Sequence, residues 1–171
     1  MNADYIKCVK SGLVDENGVI KLDFIKNSKY PQMLANEMSK ATPKLSSKQA
    51  RSFYNVVNKV YLDVISGVMN MNEAIADLTM MSSRVMDKFN KGHIPVEFKD
   101  FIEANVEAVR DVNTLKAFIL HFEAICNNLK DNTSPGNSGR SGGPNQASKP
   151  GAYKPNNGNG NRNNNGGQRR W

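Results

Sequence analysis

Residues 46 to 68 constrain the fold of this chain more than any other stretch. Ser46-Ser47-Lys48-Gln49 has the spacing of a capping box, in which the Ser46 side chain and the Gln49 amide, and the Gln49 side chain and the Ser46 amide, exchange hydrogen bonds. Apolar side chains then recur at Ala50, Phe53, Tyr54, Val57, Val60, Tyr61, Val64 and Val68, the i, i+3, i+4, i+7 spacing of one helical face. A helix with one apolar face must bury it against other elements, and the same spacing supplies them. Pro31 suits the first turn of a helix carrying Leu34, Ala35 and Met38, which Thr42-Pro43 breaks. A third helix from about residue 72 to 91 places Ile75, Leu78, Met81, Val85 and Phe89 on one stripe, with Gly92 as its stop. After His93-Ile94-Pro95 a fourth carries Phe98, Phe101, Ile102, Val106 and Val109, and a fifth carries Leu115, Phe118, Ile119, Phe122, Cys126 and Leu129. Short connections between amphipathic helices imply antiparallel neighbours, so the fold class is all-α: a compact bundle of about five helices over residues 28 to 130.

The two ends read differently. Over residues 1 to 27, Gly12, the Asp-Glu-Asn-Gly turn at Asp15 to Gly18 and the alternation from Val19 to Phe24 fit either a short hairpin or loose helical turns. From Asp131 onward the chain is rich in Gly, Asn, Pro and Ser, and its only apolar residues are Ala147, Ala152, Tyr153 and Trp171. Such a segment cannot offset the entropy of ordering, so residues 131 to 171 are expected to be a disordered tail.

Charge follows the same division. The chain has 23 Lys and Arg against 16 Asp and Glu, a net charge of +7. Arg140, Lys149, Lys154, Arg162, Arg169 and Arg170 against Asp131 alone place five of those seven charges in the tail, leaving a nearly neutral folded part. No apolar run approaches the ~18 residues needed to cross a bilayer, and the start MNADYIKCVK lacks the apolar core of a signal peptide, so a soluble, cytoplasmic protein with no membrane partner is expected. Cys8 and Cys126 are two distant thiols without a CxxC, read as reduced, with Cys126 a core residue.

A catalytic reading finds little to work with. His93 sits in a turn, and His121 and Glu123 are i, i+2 on one helix and face apart. The His-Phe-Glu segment has no accompanying P-C-x-x-C, and every Gly-dense stretch lies in the tail rather than between a strand and a helix. No enzyme activity, metal or cofactor is implied. Met69, Met71, Met80, Met81 and Met86 read as core filling.

Basic residues are more informative. Lys40, Lys44, Lys48 and Arg51 run without an intervening acid, and Lys48, Arg51, Asn55, Asn58 and Lys59 form a polar stripe opposite Phe53, Val57 and Val60. Arg84, Lys88 and Lys91 repeat the arrangement on the third helix. Sparse cations among amides suit phosphate positioning rather than base reading.

Three stretches resemble a known family. LSSKQARSFYNVVNKV is similar to the opening of the helical core in the small subunit of type III-A (Csm) CRISPR effector complexes, DLTMMSSRV resembles that family's helix with small residues ending in Arg, and LKAFILHFEAICNNLK resembles its last helix. Order and spacing agree over about residues 28 to 130; Asn127-Asn128, the tail and the first 27 residues depart from the pattern. The resemblance implies a non-catalytic subunit that stacks in copies as a filament along guide RNA and target RNA, beside other subunits of the Csm complex. Base pairing then reads sequence, and the protein holds the duplex by shape and charge. Carried over by motif, Lys48, Arg51 and Arg84 contact RNA phosphate; Lys44 and Lys59 join them only by sharing a face. Phe118, Phe122 and Glu123 are assigned to packing and to neighbouring subunits. The alternative is a helical protein-interaction adapter whose only nucleic-acid affinity is nonspecific and lies in the tail.

Overall fold

The computed structural model describes residues 3–26 and 29–129; the tail expected to be disordered lies outside the described residues. Six α-helices are present: α1 (Ala3–Lys10), α2 (Tyr30–Lys40), α3 (Ser47–Ile65), α4 (Met71–Asn90), α5 (Val96–Ala108) and α6 (Val112–Asn128). Five of these are the helices that the periodicity predicts. The capping box forms: the Gln49 amide donates to Ser46 Oγ at 3.1 Å, and the Ser46 amide donates to Gln49 Oε1 at 3.0 Å. Gln49 Nε2 also donates to the His93 carbonyl at 3.0 Å, tying the start of α3 to the connection between α4 and α5. Two further boxes, Asn70 with Glu73 and Asp111 with Thr114, start α4 and α6. At the latter, the Thr114 amide holds the Asp111 carboxyl below its ordinary range.

α6 is the most deeply buried helix, packed chiefly against α2 and α3, while α4 packs on α5 and α3. The core is aromatic at its centre. Phe101 meets Phe122 edge-on with ring centroids 5.1 Å apart, Phe118 stacks on Phe122 at 5.9 Å, and Phe53 and Tyr54 of α3 reach Phe98 and Phe122. Edge-to-face and offset pairs at such separations add to area burial, because the positive ring edge meets a negative face.

Several expectations need correction. The apolar stripe of α3 does not continue to Val68: the helix ends at Ile65, Gly67 turns the chain with φ of +76°, and Val68 is 77% exposed. The methionines do not act as one group, since Met81 is buried while Met80 and Met86 are exposed on other faces of α4. Phe118 and Phe122 are fully buried, so they pack internally and are unavailable to neighbouring subunits; Glu123 is exposed.

Residues 3–26 combine both conformations that the sequence left open. α1 is a helix, and beyond it a single antiparallel bridge joins Val14 and Ile20 across the turn. Asp15 shapes that turn by accepting from the Asn17 and Val19 amides, each at 2.9 Å. Tyr5, Val9, Leu13 and Phe24 from this segment are at most 1% exposed and complete the core over α5 and α6.

A buried polar chain holds this segment in place. His121 Nδ1 faces the Phe24 carbonyl, and His121 Nε2 faces the Tyr5 hydroxyl at 3.1 Å. Asn105 Nδ2 donates to the Tyr5 oxygen and to the Phe101 carbonyl, both at 2.7 Å. The carbonyls can only accept, which fixes every proton: Nδ1 carries the imidazole hydrogen, Nε2 accepts from Tyr5, and Tyr5 accepts from Asn105. Burial depresses the His121 pKa to about 4, so the ring is neutral as this chain requires.

Candidate nucleic-acid interface

The five-residue connection Ser66 to Asn70 reverses the chain, so the first half of α3 lies beside the second half of α4. Lys59 in the later part of α3 is close enough to Asp77, early in α4, to feel its charge, as this antiparallel register requires. α6 runs antiparallel to α3 as well: Tyr54 packs on Phe122, and the Arg51 charge reaches Cys126. Topology therefore gathers the start of α3 and the ends of α4 and α6 at one end of the bundle.

That end is basic. Lys44 in the connection before α3, Lys48 and Arg51 on α3, and Arg84 and Lys88 on α4 are all exposed. None of the five forms an ion pair among the described residues; the pairs there are Lys29 with Asp23, Lys59 with Asp63, Lys91 with Asp87, and Lys99 with Asp100 and Glu103. Lys48 and Arg51 line a shallow cavity of about 420 Å³ together with Ser47, Ser52 and Asn55. Two cations, hydroxyls and an amide around one depression supply donors for phosphate oxygens, and the aligned amides at the start of α3 add a partial positive charge.

The structure does not bring Lys59 to this group. It lies two helical turns beyond Arg51, and Asp63 takes its ammonium at 2.5 Å; that hydrogen bond, with the Asp63 charge, raises the Lys59 pKa. Lys88 belongs with the group instead. The signal for it was its i, i+4 spacing from Arg84, and what distinguishes it from Lys91 is that Asp87, four residues before Lys91, offsets the Lys91 charge at 2.8 Å. Lys99 is absorbed otherwise: only 17% exposed, it lies over the Phe89 ring between two carboxylates.

Reactive groups are placed elsewhere. His121 is a structural hydrogen-bonding residue, and burial pushes the Cys126 thiol up to about 11, well above the range of a reactive thiolate. Among the described residues, no three His, Cys, Asp or Glu side chains converge as metal ligands, and no helix is long and apolar enough to cross a membrane.

Comparison with curated proteins and with solved structures finds no match. A family model does match, that described as Csm2 Type III-A, and it spans residues 25–128. The matched region runs from just after the Phe24 turn through α6 and contains all five cations of the basic end. With more than half of its length matched, this chain belongs to the Csm2 family of small subunits of the type III-A CRISPR effector complex.

Proposed function

We propose that this subunit holds the guide RNA and target RNA duplex within the Csm complex through phosphate contacts, without catalytic chemistry of its own, and that further copies stack beside it along the duplex. The observation that carries this reading is the basic end of the bundle, where Lys44, Lys48, Arg51, Arg84 and Lys88 form no ion pair with any described carboxylate. A cation already neutralised by a neighbour gains little from a phosphate, whereas a free one gains the full charge-assisted hydrogen bond and releases counterions from the RNA. Few contacts per subunit suffice if copies repeat, because linked sites add as a multivalent set.

Arg51→Ala and Arg84→Ala test this in the assembled, full-length complex. Each removes about one phosphate contact, so the slope of log affinity against log salt falls by about 0.7 to 0.9 per substitution, irrespective of RNA sequence. Unchanged RNA affinity and salt slope in both variants would refute the residue assignment.

One observation favours a protein-binding role alongside. At the opposite end of α3, Leu62, Ile65 and Val68 are 49%, 53% and 77% exposed, an apolar group suited to another subunit. Under the adapter reading an apolar surface of this kind carries the function of the folded part. Deleting residues 131 to 171 separates the two: RNA retained by the truncated chain supports the basic end, and loss of all RNA contact supports the adapter.

A further inference from the structure

His93 is one of two histidines in the chain and lies in the connection between α4 and α5. Its backbone is fixed from two sides. The His93 amide donates to the Lys88 carbonyl at 2.9 Å, across Gly92, whose φ of +68° turns the chain out of α4. The His93 carbonyl accepts from Gln49 Nε2 at 3.0 Å, the same side chain that caps α3. His93 is thereby held between the start of α3, which carries Lys48 and Arg51, and the end of α4, which carries Lys88. The connection leading to Lys44 comes alongside, since Ala41, Thr42 and Pro43 border one depression with Gly92 and Ile94, the two neighbours of His93.

The residue is exposed, and among the described residues its ring makes no hydrogen bond, ion pair or ring contact. His121 is the opposite case, with both nitrogens engaged and its pKa depressed by burial to about 4. Around His93 the charged groups are Lys44 before α3, Lys48 and Arg51 on α3, Asp87, Lys88 and Lys91 on α4, and Glu97 on α5. Lys91 holds Asp87 at 2.8 Å, one Glu97 oxygen is closed to solvent, and neither carboxylate pairs with the ring. An anion arriving at the basic end meets an uncommitted imidazole among the cations.

We propose that His93 is a proton-linked phosphate contact: as imidazolium it joins Lys44, Lys48, Arg51, Arg84 and Lys88 on the RNA backbone, and RNA binding takes up a proton there. The inference rests on the RNA-binding reading above and adds a pH dependence to it. Histidine is the side chain that changes charge between about pH 5 and 8. Only its protonated form offers a phosphate oxygen both a positive charge and a charge-assisted N–H. Because phosphate binds that form better, protonation and RNA binding promote each other. RNA affinity therefore rises as pH falls through the histidine range, and the gain is lost as the ring gives up its proton.

The test measures binding of the full-length chain to a short RNA duplex by fluorescence anisotropy, over a salt series at about pH 8 and about pH 6. At about 0.1 M salt one further phosphate contact tightens binding about fivefold at the lower pH, and the slope of log affinity against log salt steepens by about 0.7 to 0.9. His93→Gln cannot titrate and binds at both pH values as the parent does at the higher one. His93→Lys keeps its charge and binds at both as the parent does at the lower one. Neither substitution touches the backbone bonds to Gln49 and Lys88, and every other group that titrates in this range, the α-amino group among them, is common to the three chains. Equal pH dependence in the parent and His93→Gln, with affinity lowered by Arg51→Ala and Arg84→Ala, overturns the His93 contact and leaves the phosphate reading standing. Affinity unchanged by all four substitutions, or no RNA binding by the parent, overturns both. Loss of the pH dependence in His93→Gln without recovery at the higher pH in His93→Lys assigns the residue a structural role and also overturns the proposal.

Discussion

Acidification should unlock the N-terminal segment through His121. The ring lies in a chain whose every hydrogen is assigned: Phe24 and Phe101 supply acceptor carbonyls at its two ends, and Tyr5 passes its proton to Nε2. An additional proton on Nε2 would set two donors against the Tyr5 oxygen and leave the Tyr5 hydrogen without its acceptor. Burial accordingly depresses the folded-state pKa from 6.5 to about 4. Because the unfolded chain binds this proton more tightly, stability rises with pH across the interval. The contribution is complete above about 6.5 and is lost as pH falls toward 4. At about 1.4 kcal/mol per pKa unit, the whole interval is worth about 3 kcal/mol, and about 2 kcal/mol of that is gone by about pH 5. Urea denaturation followed by circular dichroism between about pH 7.5 and pH 5 measures it, in a range still above the ordinary carboxylate values. His121→Asn keeps a donor for the Phe24 carbonyl but cannot titrate, so its stability should be lower at neutral pH and nearly flat over the same range. A direct check is the ring's own titration in the folded protein by NMR, expected near 4. Equal pH slopes in both chains, or a folded-state titration near the ordinary histidine value, would refute the reasoning.

Ser46→Ala removes the acceptor of the Gln49 amide and should cost about 1 kcal/mol in urea denaturation, while Ser46→Asp restores the acceptor and most of the loss. Gly18→Ala places a Cβ at a φ of +74° and 2.9 Å from Asn113 Nδ2. The backbone conformation alone predicts a loss of about 1–2 kcal/mol. A thermal melt unchanged from the parent chain would contradict that assignment of strain.

How each part of the molecule became legible follows from the range over which the interactions act. Capping at Ser46 and the stripe from Ala50 to Val60 are local: the residues that form them lie within one or two turns of each other, so their spacing in the chain is their spacing in the helix. The same holds for the cations, since Lys48 and Arg51 share a helix face wherever that helix is placed. α1 escaped this logic. Eight residues are too few for a secure period, and what stabilises Ala3–Lys10 is not its own pattern but Tyr5 and Val9 entering a core built by α5 and α6.

The chain by itself thus determined the helices α2 to α6, their antiparallel order and which side chains could be cations on exposed faces, because periodicity and short connections act through neighbours in sequence. Tertiary structure alone decided which cations are brought together. Lys59 and Lys91 are drawn to Asp63 and Asp87, and Lys99 is held between two carboxylates, whereas Lys44, Lys48, Arg51, Arg84 and Lys88 meet at one end without such partners among the described residues. It also decided that His121, a residue that invites a chemical reading, is locked neutral between Tyr5 and Phe24, which lie 116 and 97 positions away. The meeting of the five cations and the locking of His121 depend on contacts between residues far apart in the chain, about which spacing within a helix carries no information, whereas the partners of Lys59, Lys91 and Lys99 lie one or four positions away.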